Sequence, residues 1–162
     1  MAAAHTVPDH LSHFLPHSDR RATAEELGDG RWLVAGRHAV VVVGEEGVVD
    51  SGMWYEVQHV RWDSASRDLT LTWVDPGRPP LVVRMLTTDP AAFMGEVTGK
   101  VTHSLVVQKS AVVGGTTVTA AVRRRDDGAL FSTLVADGPL DEGGRQLADA
   151  LESEVRDGVG LD

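Results

Sequence analysis

Residues 54–62, Trp-Tyr-Glu-Val-Gln-His-Val-Arg-Trp, lead through residues 63–68 into Leu69-Thr70-Leu71-Thr72-Trp73-Val74, and these two stretches decide the fold class. In the second, Leu69, Leu71 and Trp73 point one way and Thr70 and Thr72 the other, which is the period-2 pattern of a strand with one wet face. The polar segment between the two stretches makes them an antiparallel pair. Upstream, residues 21–27, 31–35 and 39–43 also read as strands. They are separated by Gly28-Asp29-Gly30 and Gly36-Arg37 and followed by the turn Glu45-Glu46-Gly47. Val40, Val41, Val42 and Val43 are apolar at consecutive positions, so that strand should be covered on both faces. Downstream, Asp75-Pro76-Gly77 is a turn in which Pro presets φ and Gly accepts a positive one, and residues 81–86 form another strand.

The alternation stops at Thr87. Asp89 supplies an N-cap carboxylate and Pro90 suits the first helical position. Phe93, Val97 and Val101 then recur at i, i+4 and i+8, which predicts a helix over residues 90–103 lying on the sheet. Gly95 and Gly99 weaken that helix by ~1 kcal/mol each relative to Ala, and close approach of their shared face to a strand would explain them. Residues 105–113, 116–124 and 130–135 read as three more strands, joined at Gly114-Gly115 and Asp127-Gly128 by turns that suit two-residue hairpins. Asp141 caps a final helix with an apolar stripe of Leu147, Leu151 and Val155, ended by Gly158 and Gly160.

A chain of 162 residues is long enough to bury a core without staples. It holds no cysteine, which removes thiol nucleophiles, thiolate metal sites and redox pairs and gives no sign of an oxidising compartment. The net charge of -9 opposes nonspecific attraction to nucleic acid or anionic lipid. Met1-Ala2-Ala3-Ala4-His5 has neither the basic nor the apolar region of a leader, so the expected compartment is the cytoplasm. Residues 1–19, with His5, His10, His13, His17 and two prolines, read as a flexible N-terminal segment.

The order of strand meander and closing helix, together with Arg31-Trp32-Leu33-Val34-Ala35, Met53-Trp54-Tyr55-Glu56-Val57, Arg61-Trp62-Asp63, Val122-Arg123-Arg124, Asp127-Gly128 and Gly158-Val159-Gly160-Leu161, resembles a group of uncharacterised actinobacterial proteins with a pleckstrin-homology-like (PH-like) fold. The resemblance spans about residues 20–161 and implies a β-barrel closed by a helix. It implies no activity, substrate or catalytic residue. In lipid-binding PH domains the hairpin between the first two strands is basic, whereas Gly28-Asp29-Gly30 places an acid there.

Several residue groups invite a chemical reading. His10, His13 and His17 would share a helical face and three imidazoles ligate Zn²⁺, but Pro8 and Pro16 break any continuous helix there. Gly95-Glu96-Val97-Thr98-Gly99-Lys100-Val101 nearly spells a phosphate loop, yet it has three residues between its glycines where four are required and Val after its Lys. Arg123-Arg124-Arg125 is the one basic run and the candidate partner-binding site, suited to phosphate or an acidic peptide; its simpler reading is a solvated strand edge. Trp32, Trp54, Trp62 and Trp73 fall within the barrel-like segment, and core packing explains them more simply than a ligand cage. Nucleophile elbows and H-E-x-x-H motifs are absent. No nucleophile, base and orienter converge, so no catalytic residue is assigned.

The sequence therefore predicts a β-rich α+β protein: a flexible segment 1–19, a PH-like barrel over 20–103 with helix 90–103, and a three-stranded hairpin segment with a C-terminal helix over 104–162, packed as one unit with the barrel. The expected function is a non-enzymatic protein-interaction module without cofactor or metal, binding a protein, itself included, through an exposed strand edge or the groove beside a helix. Nucleic acid, membrane and phosphoinositide are not expected partners. The alternative is a small-molecule binder or enzyme with its site between the barrel and the C-terminal subdomain.

Overall fold

The computed structural model describes residues 5–161, a strand-rich α+β chain with three open antiparallel sheets. It divides into two compact units, Met1–Val101 and Thr102–Asp162. No helix among the described residues is long and apolar enough to cross a membrane.

In the first unit, β1 (Ala24–Glu26), β2 (Trp32–Ala35), β3 (Ala39–Gly44) and β4 (Gly47–Met53) form an antiparallel meander. The second sheet is β5 (Val57–Asp63), β6 (Asp68–Trp73) and β7 (Leu81–Arg84). The expected alternation in β6 holds, with Leu69, Leu71 and Trp73 buried and Thr70 and Thr72 half-exposed. The sequence reading lacks β4. Its residues, Gly-Val-Val-Asp-Ser-Gly-Met, contain two glycines and no clean period, and pairing with β3 rather than propensity holds them extended. The two sheets meet at one seam, where Leu27 bridges Met85, the Gly28 N–H donates to the Arg84 carbonyl at 2.9 Å and the Leu86 N–H to the Glu26 carbonyl at 3.1 Å.

Helix α2 (Ala91–Ser104) follows, with Phe93 and Val97 fully buried in the same core as Leu33, Val40, Val42, Leu69 and Leu71, and Val101 packed against it. The expected glycine contact is corrected: Gly95 and Gly99 are exposed, and a Cβ at either would meet nothing within 4 Å. The tight approach is elsewhere, at Gly52, where a Cβ would come within 2.3 Å of the Trp73 ring. With open space at both helix positions only the propensity term remains, so Gly95→Ala and Gly99→Ala should each raise stability by ~1 kcal/mol in urea titrations. Destabilisation by either substitution would show that a neighbour uses that face.

The flexible N-terminal arm is corrected as well, although residues 1–4 of that segment lie outside the described residues. Val7, Leu11 and Leu15 are buried with Ala24, Val34, Val41 and Val43, on the face of the first sheet opposite the main core. Short helix α1 (Asp9–Ser12) and the 3-10 turn His17–Asp19 carry the segment across that face. Asp19 ties its end down, accepting from the Arg37 N–H at 3.0 Å. The physical reason is the consecutive valines of β3: both faces are apolar, and these three side chains, spaced by four, supply the second cover.

The second unit is the hairpin sheet β8 (Leu105–Val113), β9 (Thr116–Arg124) and β10 (Leu130–Ala136), with β9 central, and helix α3 (Glu142–Gly158). Gly114 and Gly115 have φ of 58° and 82°, the left-handed pair that a two-residue turn requires. Asp127-Gly128 belongs instead to a three-residue loop closed by the Arg125 N–H on the Ala129 carbonyl at 2.8 Å. Asp141 caps α3, accepting from the Gly144 N–H at 2.6 Å, and the Leu161 N–H closes its far end on the Arg156 carbonyl at 2.8 Å. The stripe is shifted from the expected one. Leu147 is 61% exposed, while Gly144, Ala148 and Val155 are buried and Leu151 packs beside Ala120 and Val122 of β9.

Candidate functional site

The groups singled out by sequence are dispersed or engaged. His10 pairs with Glu45 at 3.1 Å, His13 lies against the Phe14 ring at 4.0 Å and His17 sits in the 3-10 turn. No group of three metal-ligating side chains occurs among the described residues. Gly95 to Lys100 are helical, so no phosphate loop forms there. Trp54 and Trp73 are buried and Trp62 packs against the same core, while Trp32 packs under the N-terminal segment. The Trp54 indole donates to the Gly36 carbonyl at 2.8 Å and the Arg78 guanidinium stacks 3.7 Å above Trp73, both packing roles.

The Arg123-Arg124-Arg125 run is not a solvated edge. It ends the central strand β9, where Arg123 is buried, and desolvation pushes its guanidinium below its ordinary range. Arg124 donates to the His103 carbonyl at 2.8 Å, and Arg125 stacks over the Phe131 ring at 4.5 Å. A strand alternates its faces, so three consecutive arginines never form one cationic surface here.

Two shallow clefts lie on the first unit. One, of about 460 Å³, sits at the seam and is lined by Leu27, Asp29, Arg31, Asp68, Val82 and Arg84. Its charges cancel in pairs: the Arg31 Nε donates to Asp29 at 2.6 Å and the Arg84 Nε to Asp68 at 3.2 Å. Desolvation pushes the Asp29 carboxyl up, but the backbone N–H and guanidinium of Arg31 outweigh it and hold the group below its ordinary value. The other, of about 320 Å³, lies along β5 and β6 between His59, Arg61, Thr70 and Thr72. At its end Asp63 is taken up by the N–H groups of Ala65 and Ser66, which lower its pKa. Ser66 and Asp68 complete the lining of this cleft, and the Ser66 hydroxyl hydrogen-bonds the Asp63 carboxylate.

The pKa of Glu25, on β1, is raised. Burial is the largest cause, opposed by His5 at 3.5 Å and reinforced by Asp89. A carboxyl raised on folding contributes stability below its unfolded pKa and loses it as pH rises through the folded one. Glu25→Gln removes that loss, so the stability of the variant relative to wild type should increase as pH rises above the ordinary carboxylate range in urea titrations. An unchanged difference would show that His5 fully offsets the burial.

Strand β8 is one edge of the second unit's sheet. In β8, Gln108, Lys109, Ser110, Ala111 and Val112 are exposed in succession, and Val112 is 74% exposed. The contacts of β9 with β10 fix which backbone groups of β8 face outward. Thr117 spends its N–H and carbonyl on Asp137, toward β10, and Arg125 likewise turns toward Ala129. The odd residues of β9 therefore bond to β10 and the even ones, Val118 and Ala120 among them, to Ala111 and Lys109 of β8. Gln108, Ser110 and Val112, opposite Ala121, Thr119 and Thr117, turn their N–H and C=O groups to the open side.

No family model, curated protein or solved structure matches the chain.

Edges of this kind are templates for another strand, and proteins often guard them with a lysine. Here Lys109 is held by Glu154 of α3, which draws its ammonium over the helix face and away from the edge. Ser110 and Thr119 hydrogen-bond at 3.0 Å on the other face, keeping the strand extended. The sequence alone names no strand for the expected exposed edge. Gly114-Gly115 sets the β8–β9 register, but that β8 is outermost follows only from β10 folding onto the far side of β9.

Proposed function

We propose that the chain is a cytoplasmic, non-enzymatic protein-interaction module that takes an added strand along β8, and that β1 to β7 with α2 form its PH-like barrel. The outward row of unpaired backbone groups on Gln108, Ser110 and Val112 carries the functional reading, since main-chain pairing supplies affinity there without any pocket. The PH-like reading is supported by the order of four strands, three strands and a helix, by the seam at Leu27 and Met85, and by the seating of Phe93 and Val97 in the core. The test is recovery of partners, untagged copies included, on a tagged full-length chain at native expression level, beside Ser110→Pro. That substitution deletes an N–H that β9 does not use. Partners should be recovered by wild type and lost with the proline while circular dichroism shows the fold retained; equal recovery by both overturns the reading.

Inositol phosphates and nucleic acid are not partners in this reading. The Asp29–Arg31 pair occupies the turn where lipid-binding PH domains carry free cations, and the net charge of -9 repels polyanions. Flotation with anionic vesicles and gel shifts on mixed DNA and RNA should be blank at physiological salt. Saturable micromolar binding in either overturns that exclusion.

A further inference from the structure

We propose that the strand added at β8 is β8 of a second copy, paired antiparallel about a two-fold axis at Ser110 and joining two three-stranded sheets into one. This rests on the reading of β8 as the interaction edge and names its occupant. Register sets the pairing. Antiparallel pairing exchanges both N–H···O bonds between facing residues whose groups point outward, and these are Gln108, Ser110 and Val112. Centred on Ser110, the pairing sets Gln108 against Val112 of the second copy, Ser110 against Ser110 and Val112 against Gln108, so all three outward residues are used. Moving the centre to Lys109 or Ala111 leaves one of them without an outward partner.

Side chains favour the same centre. With the axis at Ser110, Lys109 faces Ala111 of the second copy, whereas an axis at Lys109 sets two ammonium groups directly opposite each other, which is destabilising. Exposed Val112 gains the methylene stem of Gln108 as its neighbour across the new pair. Lys109 stays with Glu154 on its own α3 face, so no charge is stripped of its partner.

The chain holds no cysteine, so introduced thiols report the register directly. Ser110→Cys should give a covalent dimer under mild oxidation, because the two positions coincide on the axis. Val112→Cys should not cross-link, since its counterpart is Gln108. Sedimentation of wild type should show a concentration-dependent rise toward dimer mass in the range of about 10–100 µM, and Ser110→Pro should weaken that association by at least about tenfold. A wild type that stays monomeric throughout, or a Val112→Cys variant that cross-links as fast as Ser110→Cys, overturns the proposal. Should wild type be monomeric while recovering a different protein that Ser110→Pro loses, self-pairing falls and the interaction edge stands.

Discussion

Removal of residues 1–17 is expected to destabilise the first unit severely. Val7, Leu11 and Leu15 are buried against Ala24, Val34, Val41 and Val43, and full burial of each such side chain is worth ~1.5–3 kcal/mol. Their combined loss is a large share of the 5–15 kcal/mol typical of a folded domain, and it leaves the valine face of β3 open to water. All four tryptophans lie in the first unit, so indole fluorescence follows its unfolding without interference from the second. The truncated chain should lose that transition at a much lower urea concentration than the full chain, and the exposed face should favour aggregation. Leu11→Ala is the milder version, expected to cost about 2–5 kcal/mol. A truncated chain with an unchanged midpoint would show that residues 5–17 rest on the sheet without stabilising it.

Phe93→Ala should be comparably damaging by a different route. Phe93 is fully buried in the cluster that joins both sheets of the first unit, and truncating a core Phe costs about 3–5 kcal/mol because the surrounding side chains close the cavity only in part. The substitution leaves helix propensity intact, Ala being the best helix former, so lost packing and not lost helicity accounts for the effect. The expected result is a lower fluorescence midpoint with an unchanged denaturant slope. Gly95→Ala, two residues along the same helix on its open face, should shift the midpoint the other way. Opposite signs within one turn would locate the buried face of α2.

In α3, Leu147, Leu151 and Val155 recur at the right spacing, but Leu147 is exposed while Gly144 and Ala148 are buried. Hydropathy ranks Leu147 above Ala148. The small residue Ala120 of β9, on the face that carries Val155 and Leu151, leaves room for a helix to approach closely, which favours Ala over Leu on the buried side.

The sequence by itself determined what is local. Period-2 alternation marked β6, the cap and i, i+4 spacing marked α2, Gly114-Gly115 set the β8–β9 hairpin, and four consecutive valines required cover on both faces of β3. Each of these follows from backbone sterics and side-chain direction within a few residues. Tertiary structure alone decided what is distant. It brought residues 7–15 onto β3, made an irregular stretch with two glycines into β4, buried Arg123 by placing β9 in the middle of its sheet, and left β8 at the edge. Strand order is fixed by which apolar faces are covered, a property of pairs far apart in the chain. The same nine residues of β8 would be an ordinary inner strand had another segment folded beside them.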